Sequence, residues 1–570
     1  MAQELEKVDV VTVGVGWTGG IIAAECAKEG LSVVGLERGK GRSIEDYFMI
    51  HDELRYAVRY ELMQDVSKET ITFRNHPKQR ALPMRQMGSF LLGEGLGGAG
   101  IHWNGQTHRF LPYDFEIKTK TIEKYGEDKL KNGIFLQDWG ITYDELEPYF
   151  DRFEKTCGIS GEENPYGGKR SNPYPTPPMK ETPITKRART AAENLGLKPF
   201  MTPSGNLSER YENPDGQVIN ACQYCAFCER FGCEYGAKSD PTITVIPTAQ
   251  ETGNFELRTH ANVVEILHND GMATGVRYID VQSGEEYIQP ANVVVLTSYV
   301  LNNTKLLLVS KLGTPYNREN GTGHVGKNYC YQVNASATGF FENEQFNTFM
   351  GAGALGTCID DYNGDNFDHS DVDFLHGGVG TVGHTGIRPI LSNPVPPGTP
   401  LWGKEFKEKS LYYFTRHLGI GFQGASLPHV NNYLDLDPTY KDAYGVPLLR
   451  MTYNFTDQDR KLHSFLSEKA TEFVKEMGAD IVTEGEELGD YDIVPYQTTH
   501  NTGGTPMGDD PALSTVNNFL QMWESENTFV VGASNFAHNS GYNPTGTVGA
   551  LAYRAAEGII RYSREGGMLV

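Results

Sequence analysis

The chain begins with a nearly unbroken apolar run. Residues 8–13 read VDVVTV, and a β-branched run without strict alternation predicts a short strand buried on both faces. Gly14, Gly16 and Gly19 follow, and apolar residues at helical spacing from Ile21 to Lys28 predict a helix. A second apolar run, Leu31 to Leu36, ends in Glu37. Residues 40–80 are charged with a helical pattern and a turn near Asn75-His76-Pro77, and residues 88–105 form a second glycine-rich stretch. Residues 142–158 predict an amphipathic helix, with Thr142 and Glu145 spaced as a capping box. Residues 161–182 are rich in Pro, Gly and Asn and predict a loop crossing between lobes, and 183–200 predict a further helix.

Strand patterns return at 255–280 and from Asn292 to Leu296. Between 330 and 460, short aromatic runs bounded by Gly and Pro, such as 333–341 and 411–424, predict an antiparallel sheet. Residues 460–477 predict a helix, and Thr528 to Val531 followed by 545–562 predict a strand, a turn and a helix. The fold class expected is α/β combined with α+β: a Rossmann-like nucleotide domain with an inserted substrate domain on an antiparallel sheet. The expected boundaries are 1–160 and 241–325 for the two parts of the nucleotide domain, and 161–240 for a crossing segment. Residues 326–490 form the substrate domain and 491–570 the closing C-terminal segment.

A chain of 570 residues with 39% hydrophobic and 11% aromatic residues can bury a large core in two or three lobes. Its formal net charge of -23 argues against nucleic acid and anionic membrane as partners. No apolar run is long enough to span a bilayer. The start, MAQELEKVDVVTVG, lacks a basic n-region and an apolar h-region. The expectation is a cytoplasmic protein, exported or membrane-associated only through a partner subunit.

The first glycine cluster, Gly14-Val15-Gly16-Trp17-Thr18-Gly19, lies between a strand and a helix. There glycines allow a tight turn and close approach of the backbone to a pyrophosphate at the helix N-terminus. Glu37 closes the next strand, where it can accept both ribose hydroxyls and would repel a 2'-phosphate. The bland alternative is an ordinary strand–helix turn. The second cluster, GEGLGGAGIHWN at 93–104, implies a second backbone contact with phosphate and flavin. An NAD enzyme has no need of it, so FAD is the expected dinucleotide, against Gly95, Gly97, Gly98, His102 and Asn104.

Cys222, Cys225, Cys228 and Cys233 crowd into ACQYCAFCERFGC, four of eight cysteines. Soft thiolates at this density point to metal. The spacing differs by one residue from a ferredoxin run and lacks its proline. An iron–sulfur cluster of three or four irons is expected, with zinc, and reduced thiols or disulfides, as alternatives. Near the C-terminus, His500 opens HNTGGTPMG, and Asn543 sits in GYNPTGT before the last helix. An imidazole can take the proton of an alcohol while hydride leaves its carbon, and an amide can orient the oxygen. A capping His and a turn Asn are the bland alternative. His538 is a rival base, read as structural or supporting.

Taken together, these stretches resemble the glucose-methanol-choline (GMC) oxidoreductases: VDVVTVGVGWTGG with LERG, GEGLGGAGIHWNG, VVVLTSYVLNNTKLLLVS, and HNTGGTPMG with VVGASNFAHNSGYNPTGTVGALAYRAAEGI. Within the family the chain looks most like flavoprotein subunits of bacterial gluconate, sorbitol and related sugar dehydrogenases. The resemblance implies that His500 is the active-site histidine and Asn543 its partner. It implies ADP contacts from Gly14, Gly16, Gly19 and Glu37, an adenine contact from the backbone of Val264, and a cofactor contact from Thr545. Some relatives carry FAD covalently on a histidine placed as His102 is, and others do not. A small accessory subunit and a cytochrome acceptor are implied partners. The stretch Leu296-Thr297-Ser298-Tyr299 departs from the family's Ala-Gly turn. The expected activity is FAD-dependent oxidation of a CH–OH group of a sugar, sugar acid or polyol, with electrons leaving through the cluster. The alternatives are a pyranose or glycoside 3-oxidase, and an electron-transfer subunit without substrate chemistry.

Overall fold

The strand Glu286–Leu296 is the branch point of the larger sheet. Its first half pairs antiparallel with Met272–Asp280, which pairs with Ala261–Asn269. Its second half, Ala291 to Leu296, runs parallel to Val8–Val13 on one side and Ser525–Val530 on the other. Val33–Leu36 and then Phe255–Arg258 continue the parallel layer beyond Val8–Val13. The register aligns Val13 with Leu36 and Leu296, and Leu296 with Val530. Four strands therefore end side by side, and their carboxyl ends open where ligands bind in such sheets. The computed structural model describes residues 2–48, 51–86, 90–130, 133–386, 388–483, 485 and 487–569. Residues 88 and 89 of the second glycine-rich stretch, and 49 and 50 of the charged segment, lie outside the described residues.

Helix Trp17–Lys28 is buried along nearly its whole length. It packs on the C-terminal helix Thr545–Glu565, which also packs on Tyr143–Cys157. That last helix carries the expected capping box: the Glu145 carboxylate accepts the Thr142 amide at 2.8 Å, and the Thr142 hydroxyl accepts the Glu145 amide at 3.4 Å.

A second sheet orders Ile481–Thr483, Val333–Phe340, His417–Gly424, Gly378–Gly383, Gly356–Ile359 and Phe200–Met201, antiparallel throughout. Side chains alternate across it. Ala335, Ala337, Ile420 and Phe422 are buried with Leu462, Leu466 and Ala470 of helix Asp457–Glu476. The polar face, with Asn334 and Gln423, looks the other way. A third sheet joins Tyr433–Lys441 and Pro447–Thr452 to Ile71–Arg74 and Leu82–Pro83.

The structure differs from expectation in four places. Among its described residues, the segment 40–80 forms a 3-10 turn, Ile44–Tyr47, and a π-helical turn, Leu54–Val58, before the strand Ile71–Arg74. Ile71 and Thr72 are buried against Leu449 and Arg450, so packing overrides the charged pattern. The first helix starts at Trp17 rather than Ile21, straight from the glycine turn. The helix expected over 183–200 ends at Asn194, ahead of Gly196 at φ +75°. Residues 411–413 close a helix, Lys404–Tyr413, whose Glu405–Lys409 pair lies one turn apart, and the strand begins at His417.

Candidate active site

The residues that follow the four parallel strands line one cavity of about 460 Å3: Gly14, Glu37, Thr297 and Val531. Gly14 takes φ +97°. A Cβ on Gly19 would lie 2.0 Å from the Gly14 carbonyl oxygen, so the turn and the helix start can close only around glycine. Thr297 clamps the turn, its hydroxyl donating to the carbonyls of Val13 at 2.9 Å and Gly14 at 2.7 Å. This accounts for the departure at Leu296-Thr297-Ser298-Tyr299. Three of the described α-helices present N-termini without side-chain caps here: Trp17–Lys28 after Gly16, Val300–Ser310 after Tyr299, and Thr545–Glu565 after Pro544. Uncapped amides and the helix dipole favour an anionic ligand.

Glu37 is buried, its carboxylate accepting the Val15 amide at 3.2 Å and the Gly39 amide at 2.9 Å. The second glycine stretch is tied to the first by the Gly97 amide donating to the Val15 carbonyl. Gly97, Gly98, His102 and Asn104 line the cavity, as do Val264, Gly16 and Thr545. His102 Nε2 and Gln106 Oε1 are buried without a partner. Burial, with Lys238 nearby, pushes the His102 imidazolium down to about 3. Gly19 lies under the Gly14 carbonyl and Gly95 packs against Arg42 and Gly39, and the residues lining the cavity include neither. Their backbone constraint comes from the protein itself.

At the other end, His500 and Asn543 meet, Asn543 Nδ2 lying 3.2 Å from His500 Nε2. Both are buried, and the Asn543 carbonyl oxygen has no partner. His500 Nδ1 lies 2.5 Å from Gln332 Oε1. The Gln332 amide nitrogen donates to the carbonyls of Ser540 at 3.0 Å and Tyr542 at 3.1 Å. Asn539 Nδ2 holds the His500 carbonyl at 2.6 Å. The Tyr542 ring stacks on His108, and its hydroxyl donates to buried Asp360. Burial pushes the His500 imidazolium down to about 3.

Sequence reasoning missed Gln332. It also missed Asn334, Gln423, Gln497 and Glu229, which line the same cavity. The alternation QVNASAT at 332–338 marks Gln332 and Asn334 as sharing a face, but not which face meets the cavity. His538 does not line it. His538 Nε2 lies 3.1 Å from Asp114 and His376 Nε2 lies 2.8 Å from it. Their Nδ1 atoms accept from Trp139 and Gly377, so each ring donates to one buried carboxylate. Burial raises the Asp114 carboxyl, but the two imidazoles outweigh it and hold it below the ordinary range.

The four clustered cysteines are free thiols. Among the described residues, the groups whose ligand atoms meet within 4.8 Å are Asp114, His376 and His538. No three of the thiols bring their sulfurs all within 4.8 Å of one another. They are close enough to act on one another: burial first, and then Cys228, Cys233 and Cys225, raise the Cys222 thiol to about 12. The loop bends through Tyr224, Ala226 and Arg230 at φ 56°, 72° and 74°. It touches the second glycine-rich stretch directly. The Arg230 amide donates to the His102 carbonyl at 2.7 Å, and the buried Lys238 amine bridges the carbonyls of Trp103, Cys228 and Phe231.

Comparison with known proteins agrees with this geometry. The GMC oxidoreductase family matches over residues 137–334 and 428–552. The gluconate 2-dehydrogenase flavoprotein of Pantoea cypripedii is 39% identical, over 100% of this chain and 96% of that protein. The chain belongs to the GMC oxidoreductase family. It is an FAD-dependent oxidoreductase acting on CH–OH groups. The fructose dehydrogenase large subunit of Gluconobacter japonicus is 24% identical over 99% of this chain and 100% of its own length. The fold of pyridoxine 4-oxidase from Mesorbium loti superposes with a TM-score of 0.62 at 15% identity, covering 97% of this chain and 99% of that one.

In a GMC oxidoreductase the glycine turn has a direct readout. A methyl group on Gly19 must displace the Gly14 carbonyl, and overpacking of this kind costs about 1–3 kcal/mol. Spent on the cofactor turn, that weakens binding about tenfold to a hundredfold. Gly19→Ala is expected to fold but to purify with little flavin, measured as visible absorbance per protein. Wild-type flavin content in that variant would contradict the assignment.

Proposed function

We propose that this protein is a dehydrogenase that oxidises a hydroxyl-bearing carbon of a carbohydrate or polyol, with His500 as the base. One observation carries the reading: the protonation of His500 is fixed from behind. The Gln332 nitrogen is committed to two backbone carbonyls, so its oxygen faces His500 Nδ1. Nδ1 must then carry the proton, leaving the lone pair on Nε2 at the cavity. Asn543 donates toward that same nitrogen, and a substrate hydroxyl placed there would be held by the amide while Nε2 takes its proton.

The cavity suits FAD: a glycine turn, three uncapped helix ends and unpartnered buried polar atoms lie along it. Gly14, Gly16, Glu37, Gly97, Gly98, Val264 and Thr545 would hold it, and it accepts hydride when bound. His102 is placed for contact through its unpartnered Nε2, which is also the atom that a covalent bond would use. Cys222, Cys225, Cys228 and Cys233 would hold an iron–sulfur cluster, which supplies one-electron transfer. The contact of their loop with the His102–Trp103 stretch supports a one-electron route, and with it a cluster over zinc and a dehydrogenase over an oxidase. One relative is named as a large subunit, which supports an accessory subunit as a further partner. No described helix is long and apolar enough to cross a membrane.

Anaerobic stopped-flow with a sugar and polyol panel tests the reading. His500→Ala is expected to slow flavin reduction by about 10²–10⁴-fold, the range for a lost general base, and reduction at the parent rate would refute the role. Because burial lowers the imidazolium, Nε2 stays unprotonated well below the ordinary midpoint near 6.5. The reduction rate should therefore hold level from pH 7 to about 5 and fall only as pH approaches the lowered value. A rate that halves near the ordinary midpoint would contradict it. Purified protein should contain iron and give a cluster EPR signal lost on Cys228→Ser. Iron-free protein that is reoxidised rapidly by air would favour the oxidase.

A further inference from the structure

The cysteine loop is fastened by a lysine whose charge has no carboxylate against it. Lys238 is 1% exposed. Its Nζ donates to the carbonyls of Trp103 at 2.8 Å, Cys228 at 2.7 Å and Phe231 at 2.8 Å. Carbonyl oxygens only accept, and three of them need three N–H donors, so the nitrogen is an ammonium with every proton used. A buried cation is costly unless an opposite charge lies near it. Among the described residues two other lysines are buried. Lys305 is paired with Glu69 and Asp442, and Lys327 lies 4.7 Å from the centre of the Phe135 ring. Lys238 forms no ion pair among the described residues. Asp240, two residues on and also buried, turns one oxygen to the Thr242 amide at 2.7 Å and to its hydroxyl at 2.6 Å.

Donors are also turned to the sulfurs of this loop. Asn206 Oδ1 accepts the Ala354 amide at 2.9 Å, which sets its Nδ2 toward Cys228 Sγ at 3.8 Å. The Tyr224 amide points at Cys222 Sγ at 3.4 Å. A thiol sulfur is a weak acceptor, whereas a metal-bound sulfur is a thiolate. An ammonium without a carboxylate and N–H groups aimed at sulfur both suit an anionic group held by thiolates. Hydrogen bonds to sulfur and local charge are also what set the potential of such a group.

We propose, on the reading of the four cysteines as a cluster site, that Lys238 is the fixed counter-charge of an iron–sulfur cluster and favours its reduced form. A cation beside a group that gains an electron stabilises the reduced form more than the oxidised one. The test is an EPR-monitored redox titration of the purified holoenzyme, with iron analysis. Lys238→Met, which keeps the length and removes the charge, is expected to shift the one-electron equilibrium toward the oxidised form by about tenfold or more. That is a potential lower by about 59 mV. Lys238→Arg, which keeps the charge, should stay near the parent value, and flavin content confirms that each variant folds. Iron lost from Lys238→Met but kept in Lys238→Arg supports the same role, since charge then holds the group. Should the methionine variant not fold, Lys238→Gln, neutral but still a donor to carbonyls, is read in its place. A potential unmoved in the neutral variant, or a potential shift or loss of iron as large in Lys238→Arg, overturns the role and leaves the cluster reading intact. Iron-free parent protein overturns both.

Discussion

The account depends on how a single amide is held. Gln332 is fully buried, and its nitrogen donates to the carbonyls of Ser540 and Tyr542. Turning the amide over would orphan both carbonyls and set a donor against Nδ1. At about 1–3 kcal/mol per unsatisfied buried group, the flip costs about 2–6 kcal/mol, a preference of at least about 25-fold. The histidine inherits that preference as a tautomer, and burial keeps it neutral. A solvent-exposed histidine would have neither property. Base strength is sacrificed in this environment, since a lowered pKa weakens the driving force for proton transfer, and the gain is a lone pair in one place at every ordinary pH.

The fold delivers these groups from remote parts of the chain. Gln332 stands immediately before the antiparallel strand Val333–Phe340, His500 immediately before the short strand Asn501–Thr502 that pairs with Cys330 and Tyr331, and Asn543 on the turn before the last helix. The parallel sheet brings Gly14, Glu37, Thr297 and Val531 to one edge because its strands end in register. Val531 is one residue past the strand Ser525–Val530, so the segment that completes the sheet also leads into the turns carrying Asn539, Ser540 and Asn543. Sheet closure and placement of the base thus share one segment of the chain. The cysteine loop adds a second connection, reaching the cavity through Glu229 and the flavin-side stretch through Arg230 and Lys238.

Much of this was legible in the sequence, for identifiable reasons. The glycine turn, Glu37 and the Thr142 capping box obey local rules, in which a few adjacent residues fix the geometry. His500 and Asn543 stood out because each sits in a glycine- or proline-marked turn, and the structure places them 3.2 Å apart. Gln332 left no such signal, because its role is set by two backbone carbonyls more than 200 positions away. Glu229 was hidden by the cysteines around it, which drew attention to metal. A close backbone approach was expected at Gly95, and one is made there to Gly39 and Arg42. The charged segment 40–80 misled because burial of Ile71 and Thr72 outweighs periodicity.

The most direct test of the central claim is the tautomer of His500 itself. Nitrogen-15 NMR of protein labelled at histidine, with the signal assigned by its loss in His500→Ala, reports which ring nitrogen carries the proton. The account predicts a neutral ring protonated at Nδ1 and bare at Nε2 at neutral pH, unchanged on acidification to about pH 5. A ring protonated at Nε2, or doubly protonated near neutrality, would contradict it.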